Sequence, residues 1–296
     1  MYKIKAPAKL NIRLKIAGRR SDGYHELVSV MVPVDLFDIL EFEVTAPFVE
    51  NIEINSKGYE VPTDEGNLIY RAVRSFMSLT GINDGISINL FKNIPVAAGL
   101  GGGSSDAAAT LLALNNIYST PLSDSDLQDL ALKLGADVPF FLNCLPSLVT
   151  GIGEILVPIP NWPEFWYVII TPPIQVSTSW VYGELKLELT TGEYDYILNV
   201  LKNDTFAISR ILENDLEKVT STSFPIINTL KKLLKDAGAE GAIMSGSGPS
   251  VFGIFLSPEK ARSAKEFLIS RDLGDVFMVR GKGTINNRFN WGVVKR

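Results

Sequence analysis

Leu10, Ile12, Leu14 and Ile16 alternate with Asn11, Arg13 and Lys15. That period of two belongs to a half-buried strand. Arg19-Arg20-Ser21-Asp22-Gly23 reads as a turn, and residues 27–34 and 39–44 as two further strands. From Asn67 to Thr80 the period becomes helical, with Leu68, Ala72, Val73 and Phe76 on one stripe and Gly81 as the stop. Ile86, Ile88 and Leu90 return to strand alternation. A glycine-rich stretch follows, and then predicted helices over about 104–118 and 123–134, the second closed by Gly135. Farther on, Trp166–Thr171 is a short apolar strand ended by Pro172-Pro173. Helices are predicted over 179–187, 194–202, 226–237 and 258–270, and the tail is strand-like. Gly241–Met244 and Val251–Phe255 read as strands around a second Gly/Ser loop. Interleaved strands and helices indicate an α+β protein. A change of character near residue 150 divides it into segments 1–152 and 153–296.

Composition narrows the chemistry. The 296 residues include 46% hydrophobic and 21% charged, which is globular rather than disordered. A single cysteine, Cys144, excludes an intramolecular disulfide framework, and a single histidine, His25, excludes every His-cluster metal site. The formal charge of −5 argues against a general nucleic-acid binder but leaves room for a local basic pocket holding a small anion. There is no apolar run long enough to span a membrane. Met1-Tyr2-Lys3-Ile4-Lys5 lacks the apolar core of a signal peptide. The expected setting is the cytoplasm or a similar reducing compartment.

The strongest chemical signal is Pro95-Val96-Ala97-Ala98-Gly99-Leu100-Gly101-Gly102-Gly103-Ser104-Ser105. Its glycines let a backbone approach a ligand closely, and a helix begins at once, with Ser104 or Ser105 as the expected N-cap and Asp106 in the first turn. Bare N–H groups at a helix N-terminus bind anions, so this stretch reads as a phosphate loop rather than a hinge. Ser104 stands where a Walker-type loop needs lysine, and the spacing does not fit a dinucleotide fold. A cation must therefore come from elsewhere. Lys9 and Asn11 share the strand face opposite Leu10 and Ile12, although on that stretch alone Lys9 reads as a solvated edge lysine. Asp137, in Gly135-Ala136-Asp137-Val138-Pro139-Phe140-Phe141, is an acid in an apolar segment, either capping backbone N–H groups or accepting a proton from an attacking hydroxyl. His25 follows Tyr24 at a turn. A lone histidine is usually structural, but this pair could also read a base edge while the ring stacks. Cys144 has no assigned role, and Ser245-Gly246-Ser247-Gly248-Pro249-Ser250 could by itself be any tight turn.

Together, Pro7-Ala8-Lys9-Leu10-Asn11, the loop at 95–105 and the loop at 245–250 resemble, in order, the three motifs of the GHMP kinases, which include galactokinase, homoserine kinase and the mevalonate kinases. Residues 18–26 and 135–141, Pro172-Pro173 with Val176-Ser177-Thr178 and Tyr182, and Asn214-Asp215-Leu216-Glu217 are similar to the branch acting on a cytidine diphosphate sugar alcohol. The resemblance runs over essentially the whole chain. It implies two domains, an N-terminal ribosomal protein S5 domain 2-like unit and a C-terminal ferredoxin-like unit, with the active site between them. It further implies ATP-dependent phosphorylation of the 2-hydroxyl of cytidine diphosphate methylerythritol in the non-mevalonate isoprenoid pathway, with Mg²⁺ accompanying ATP and no metal ligand assigned. Asp137 matches the family's base, and Lys9 the lysine that orients it. Asn11 matches a substrate contact, Tyr24 and Tyr182 a cytosine sandwich, and His25 the base-edge contact. Residues 95–105 match the ATP phosphate loop, and Asn67 and Lys92 match positions near the adenosine. Tyr182 departs mildly from the phenylalanine common at its position but keeps the π-face. The rival readings are a GHMP kinase for homoserine or mevalonate, and a non-catalytic nucleotide or sugar sensor. A monomer or weak dimer, with no nucleic-acid or membrane partner, is expected.

Overall fold

A computed structural model describes residues 1–21, 23, 25–46, 51–119, 122–185, 193–202 and 208–281. The expected strand at the amino terminus is longer than its hydrophobic alternation suggests. β1 runs Tyr2–Arg19 and pairs antiparallel along its whole length with β2, His25–Ala46. The two strands expected over 27–34 and 39–44 are thus one, because Asp35 to Asp38 continue in extended conformation. β3 (Ile52–Gly58) and β4 (Gly85–Lys92) extend the sheet beyond β2. A hairpin of β5 (Ser147–Thr150) and β6 (Ile155–Pro158), which the sequence reading did not anticipate, also pairs with β2, so this first sheet continues to Pro158. β8, Glu213–Asn214, returns much later to lie parallel to β1.

One face of the first sheet carries four helices. α1, Leu68–Thr80, starts at the Asn67 cap and ends at Gly81 in the left-handed region (φ 74°). α2, Gly102–Ile117, is apolar nearly all round and lies in the middle of this layer. α3, Asp124–Leu134, opens with a capping box between Ser123 and Asp126. The short α4, Val138–Asn143, was not expected from the sequence.

The second sheet is built from β7 (Trp166–Thr171), β9 (Gly241–Met244), β10 (Val251–Phe255) and β11 (Asp275–Arg280), all antiparallel in the order β11-β7-β10-β9. Between its strands lie α5 (Thr178–Gly183), α6 (Glu193–Lys202), α7 (Asp215–Ser223), α8 (Ile226–Asp236) and α9 (Pro258–Ile269). That strand order, with helices in the first and last crossovers, is the ferredoxin-like arrangement. α7 is a further helix that the sequence reading missed. Residues 186 and 187 of the helix expected over 179–187, and the tail beyond Gly281, lie outside the described residues.

The two sheets share a core. Leu10, Ile12, Val30 and Val32 of the first pack in one buried cluster with Tyr167, Ile169, Phe252 and Ile254 of the second. A second cluster lies under the helices, where Ile4, Leu14, Ile16 and Leu40 meet Val73, Phe76, Leu111 and Leu114. No helix of the described residues is long and apolar enough to cross a membrane.

Candidate active site

Two irregularities in the β1/β2 pairing flank the first motif. The β1/β2 register shifts between Pro7 and Ala8 and again between Asn11 and Arg13. The first shift leaves two extra residues, Asp35 and Leu36, on β2, and the second leaves one, Ile12, on β1, which inverts the facing of the β1 side chains beyond it. Ile4, Ala6, Leu14 and Ile16 join the core under the helices, whereas Ala8, Leu10 and Ile12 join the core between the sheets. Lys9 and Asn11 emerge on the helix side, opposite Leu10 and Ile12 as expected. They are not on a solvated edge. Lys9 is only 4% exposed, and its Nζ donates to Asn11 Oδ1. Asn11 Nδ2 in turn donates to Ser29 Oγ at 2.9 Å, and Ser29 Oγ donates to Arg13 O at 2.6 Å. A buried lysine held in this way carries a fixed charge rather than a waving one.

The glycine loop and α2 form the floor of a cavity of about 530 Å³. The N-cap of α2 is Gly101, at φ 71°, and no side chain caps the helix. This corrects the expected Ser104 or Ser105 cap: Ser104 is already the third residue of the helix, and Asp106 lies past its first turn. An uncapped start is the better anion site, because the first-turn N–H groups of Gly102, Gly103 and Ser104 are left for a ligand. Pro95, Val96, Ala97, Ala98, Gly99 and Gly101 to Ser104 all line the cavity. Leu100 does not; it is buried between the sheets, and its carbonyl accepts from Lys9 N at 2.9 Å. Ser105 is buried too, its Oγ without a hydrogen-bond partner.

The second Gly/Ser loop locks the first in place. Ser245 Oγ donates to Gly99 O at 2.9 Å, and Asn11 N donates to Ser245 Oγ at 3.3 Å. A Cβ on Gly99 would stand 2.0 Å from Ser245 O. Asn214 fastens the arrangement. Its Oδ1 caps α7 through Leu216 N, and its Nδ2 donates to Met244 O and Gly246 O at 2.9 and 2.8 Å. The Asn214-Asp215-Leu216-Glu217 segment is thus a clip between β1 and the third motif, since Asp215 accepts from Ile16 N and Glu217 from Met244 N.

Asp137 stands at the N-cap of α4 but makes no side-chain cap there. Of its two possible roles, the capping one is therefore absent. Its carboxylate lies 3.4 Å from Lys9 Nζ and is 35% exposed. On the same cavity wall, Tyr182 of α5 sits with its ring centroid 5.3 Å from that of His25, the two planes 33° apart. Burial pushes the Tyr182 phenol up, and the Asp137 charge adds to the rise, so the hydroxyl stays protonated. Burial, and then the Arg19 charge, hold His25 below the usual histidine range, so it is neutral at pH 7. Tyr24 and Asp22 lie outside the described residues.

Asn67 and Lys92 both line the cavity, and both are already engaged. Asn67 caps α1 through Ile69 N and donates to Pro62 O at 2.6 Å. Lys92 pairs with Asp38 and, at 2.8 Å, with Asp106, all three buried. The sequence reading missed Asp38, whose one signal was an acid inside the apolar run of β2. Cys144 is half-buried, and desolvation pushes its thiol up to about 12, away from the reactive thiolate. No group of three or more His, Cys, Asp or Glu side chains that could hold a metal occurs among the described residues. These residues do not form a ready-made magnesium site.

The chain matches the GHMP kinases N terminal domain over residues 67–144 and the GHMP kinases C terminal family over residues 197–273. It is 44% identical over 279 residues to a protein of Geobacter metallireducens named 4-diphosphocytidyl-2-C-methyl-D-erythritol kinase, covering 94% of this chain and 97% of that one. A Syntrophus aciditrophicus protein of the same name is 43% identical over 281 residues, covering 95% and 99%. A crystal structure of 4-(cytidine 5'-diphospho)-2C-methyl-D-erythritol kinase superposes with a TM-score of 0.79 at 35% identity, covering 95% of this chain and all of that one. Homoserine kinase from Cytophaga hutchinsonii shares the fold, with a TM-score of 0.73 at 24% identity over 95% of this chain and 96% of that one.

Proposed function

The chain belongs to the GHMP kinases and, within them, to the 4-diphosphocytidyl-2-C-methyl-D-erythritol kinases, and on that premise we propose how its residues divide the work. The reaction is transfer of the γ-phosphoryl group of ATP to the 2-hydroxyl of 4-diphosphocytidyl-2-C-methyl-D-erythritol, a cytoplasmic step of the non-mevalonate isoprenoid pathway. The observation that carries the division is the Lys9–Asp137 pair at 3.4 Å, on the wall of a cavity whose floor is the uncapped start of α2.

The helix N-terminus and the backbone of residues 95–104 receive the ATP phosphates, with the partial positive charge of the helix directed at them. Asn67 borders the cavity near the adenosine, and Lys92 borders it beneath the start of α2. Asp137 accepts the proton of the 2-hydroxyl as the oxygen attacks phosphorus. Lys9, fixed by Asn11, keeps the carboxylate oriented and counters negative charge that develops between nucleophile and phosphate. Among the described residues no acidic cluster is offered to magnesium, which would be held by the nucleotide phosphates themselves. Tyr182, with Tyr24, stacks on the cytosine, and neutral His25 offers one donor and one acceptor to its edge. Asn11 completes the substrate contacts.

The deciding assay measures ADP release with 4-diphosphocytidyl-2-C-methyl-D-erythritol, mevalonate, homoserine or no second substrate. Turnover is expected with the cytidine compound alone. Faster turnover with homoserine or mevalonate would replace this substrate assignment by that of another GHMP kinase, and binding without turnover on any of them would make the protein a sensor.

A further inference from the structure

Directly beneath the phosphate cradle, one ammonium is shared by two carboxylates. Lys92 Nζ contacts Asp38 Oδ2 and Asp106 Oδ2, and every member of the triad is more than nine-tenths buried. The ammonium is so close to the helix start that a Cβ on Gly102 would stand 2.8 Å from it. The two acids are not equivalent. Asp38 Oδ1 accepts from Asn93 N and Ile94 N at 2.6 and 2.9 Å. Asp106 Oδ1 is buried with no partner at all. With both acids ionised, the triad carries one net negative charge in a desolvated place that faces the nucleotide cavity. That is the wrong sign beside a triphosphate.

We propose that Asp106 binds a proton from solvent when ATP occupies the cradle, so that the triad becomes neutral and Lys92 no longer answers to two carboxylates. Asp106 is thereby a positioning residue for the nucleotide, acting through Lys92. The inference rests on ATP binding at the start of α2. Burial pushes the Asp106 carboxyl up to about 8, the Lys92 ammonium opposing the rise and the Asp38 charge adding to it, so in the empty cradle the proton is lost only above neutral pH, where ATP can restore it. A phosphate charge nearby raises the affinity for that proton further, and by linkage the proton raises the affinity for phosphate.

Other groups packed around Asp106 do not mimic this behaviour. Arg71 and Arg74 of α1, and Asp124, Asp126, Asp129 and Lys133 of α3, are exposed. α4 brings Asp137 and β1 brings Lys9, which pair with each other. His25 titrates below and Tyr182 above the range in question.

The test is calorimetric titration of the full chain with magnesium-ATP between pH 7 and pH 9.5, in two buffers of different ionisation enthalpy, alongside Asp106→Asn. The wild type is expected to take up protons on binding and to lose affinity as pH rises, by about tenfold for each unit by which ATP raises the Asp106 pKa. Asp106→Asn, which imitates the protonated acid, should bind with no proton uptake and with affinity independent of pH. Wild-type binding without proton uptake would overturn the proposal even if the variant failed to fold, as would a folded variant that keeps the wild-type pH dependence. Absence of ATP binding at every pH would instead reject the cradle assignment, and this inference with it.

Discussion

Asp137 and Lys9 come from segments 128 positions apart, yet their side chains stand as an ion pair on the cavity wall. Asp137→Asn should keep the fold, because the side chain makes no cap bond, while kcat falls by about 10²–10⁴ for loss of a general base. A kcat within about threefold of wild type would remove Asp137 from the chemistry. Lys9→Ala should lower kcat more than it weakens ATP binding, since backbone N–H groups make the ground-state phosphate contacts. A variant that loses ATP affinity yet keeps kcat at saturation would move Lys9 to a binding role. Tyr182→Ala should raise KM for the cytidine substrate by about tenfold, from stacking worth roughly 1–3 kcal/mol per base, and leave KM for ATP nearly unchanged. Unaltered cytidine-substrate affinity in both Tyr182→Ala and His25→Ala would displace the base pocket. The histidine also sets a pH limit. Its lowered pKa means that the neutral form dominates above the usual histidine range, and that protonation begins only as pH falls below it. KM for the cytidine substrate is therefore expected to be flat from pH 7 to 8 and to rise in acid. A rise beginning above pH 7 would point to a different group.

At the scale of elements, the site is a meeting of strand irregularities and helix starts. Lys9 and Asn11 lie between two shifts in the β1/β2 register, and the glycine loop brings α2 to them uncapped. Gly99 is where this loop and the 245–250 loop touch. Its φ of 74° disfavours any side chain, and a methyl there would collide with Ser245 O. Gly99→Ala is expected to cost about 1–3 kcal/mol of stability through backbone strain, and to raise KM for ATP as the cradle is pushed from α2. Denaturant melting and ATP titration read the two effects. A variant with wild-type values in both would show that the loops part without consequence. Several of these elements were legible in advance. α1 has its Asn67 cap, apolar stripe and glycine stop, and Trp166–Thr171, Gly241–Met244 and Val251–Phe255 have the apolar continuity of buried strands. The α2 boundary was misplaced because serine is the commoner cap, whereas here Gly101 adopts the left-handed conformation and takes that position. α4 and α7 were missed for a different reason. Each is short, and α4 lies within an apolar run that carries no helical period of its own.

The whole molecule closes its site with the clip that joins β1 to the second sheet. Asn214 satisfies a helix end and two loop carbonyls at once. Asn214→Ala loses the cap, about 1 kcal/mol, and leaves buried carbonyls without partners, roughly 1–3 kcal/mol more. The expected result is a lower melting temperature together with reduced kcat, because the Ser245 loop loses its support. A drop in neither would reduce the clip to decoration. Taken alone, the chain determined its α+β class, most of its strands and long helices, and the three short motifs with a lysine, an acid and a glycine loop. Those are local matters of periodicity, capping and backbone freedom, and each is written within a dozen residues. Only the tertiary structure decided that Lys9 is buried against Asn11 rather than solvated, and that Asp137 is left free of its helix to face it. It alone placed Asp38 and Asp106 on Lys92, and Asn214 under the second glycine loop. Apart from Lys9 and Asn11, those contacts join positions from 14 to 128 residues apart in the chain. Burial and charge partnership arise only when both sheets and their helices have packed, so no window of sequence contains them.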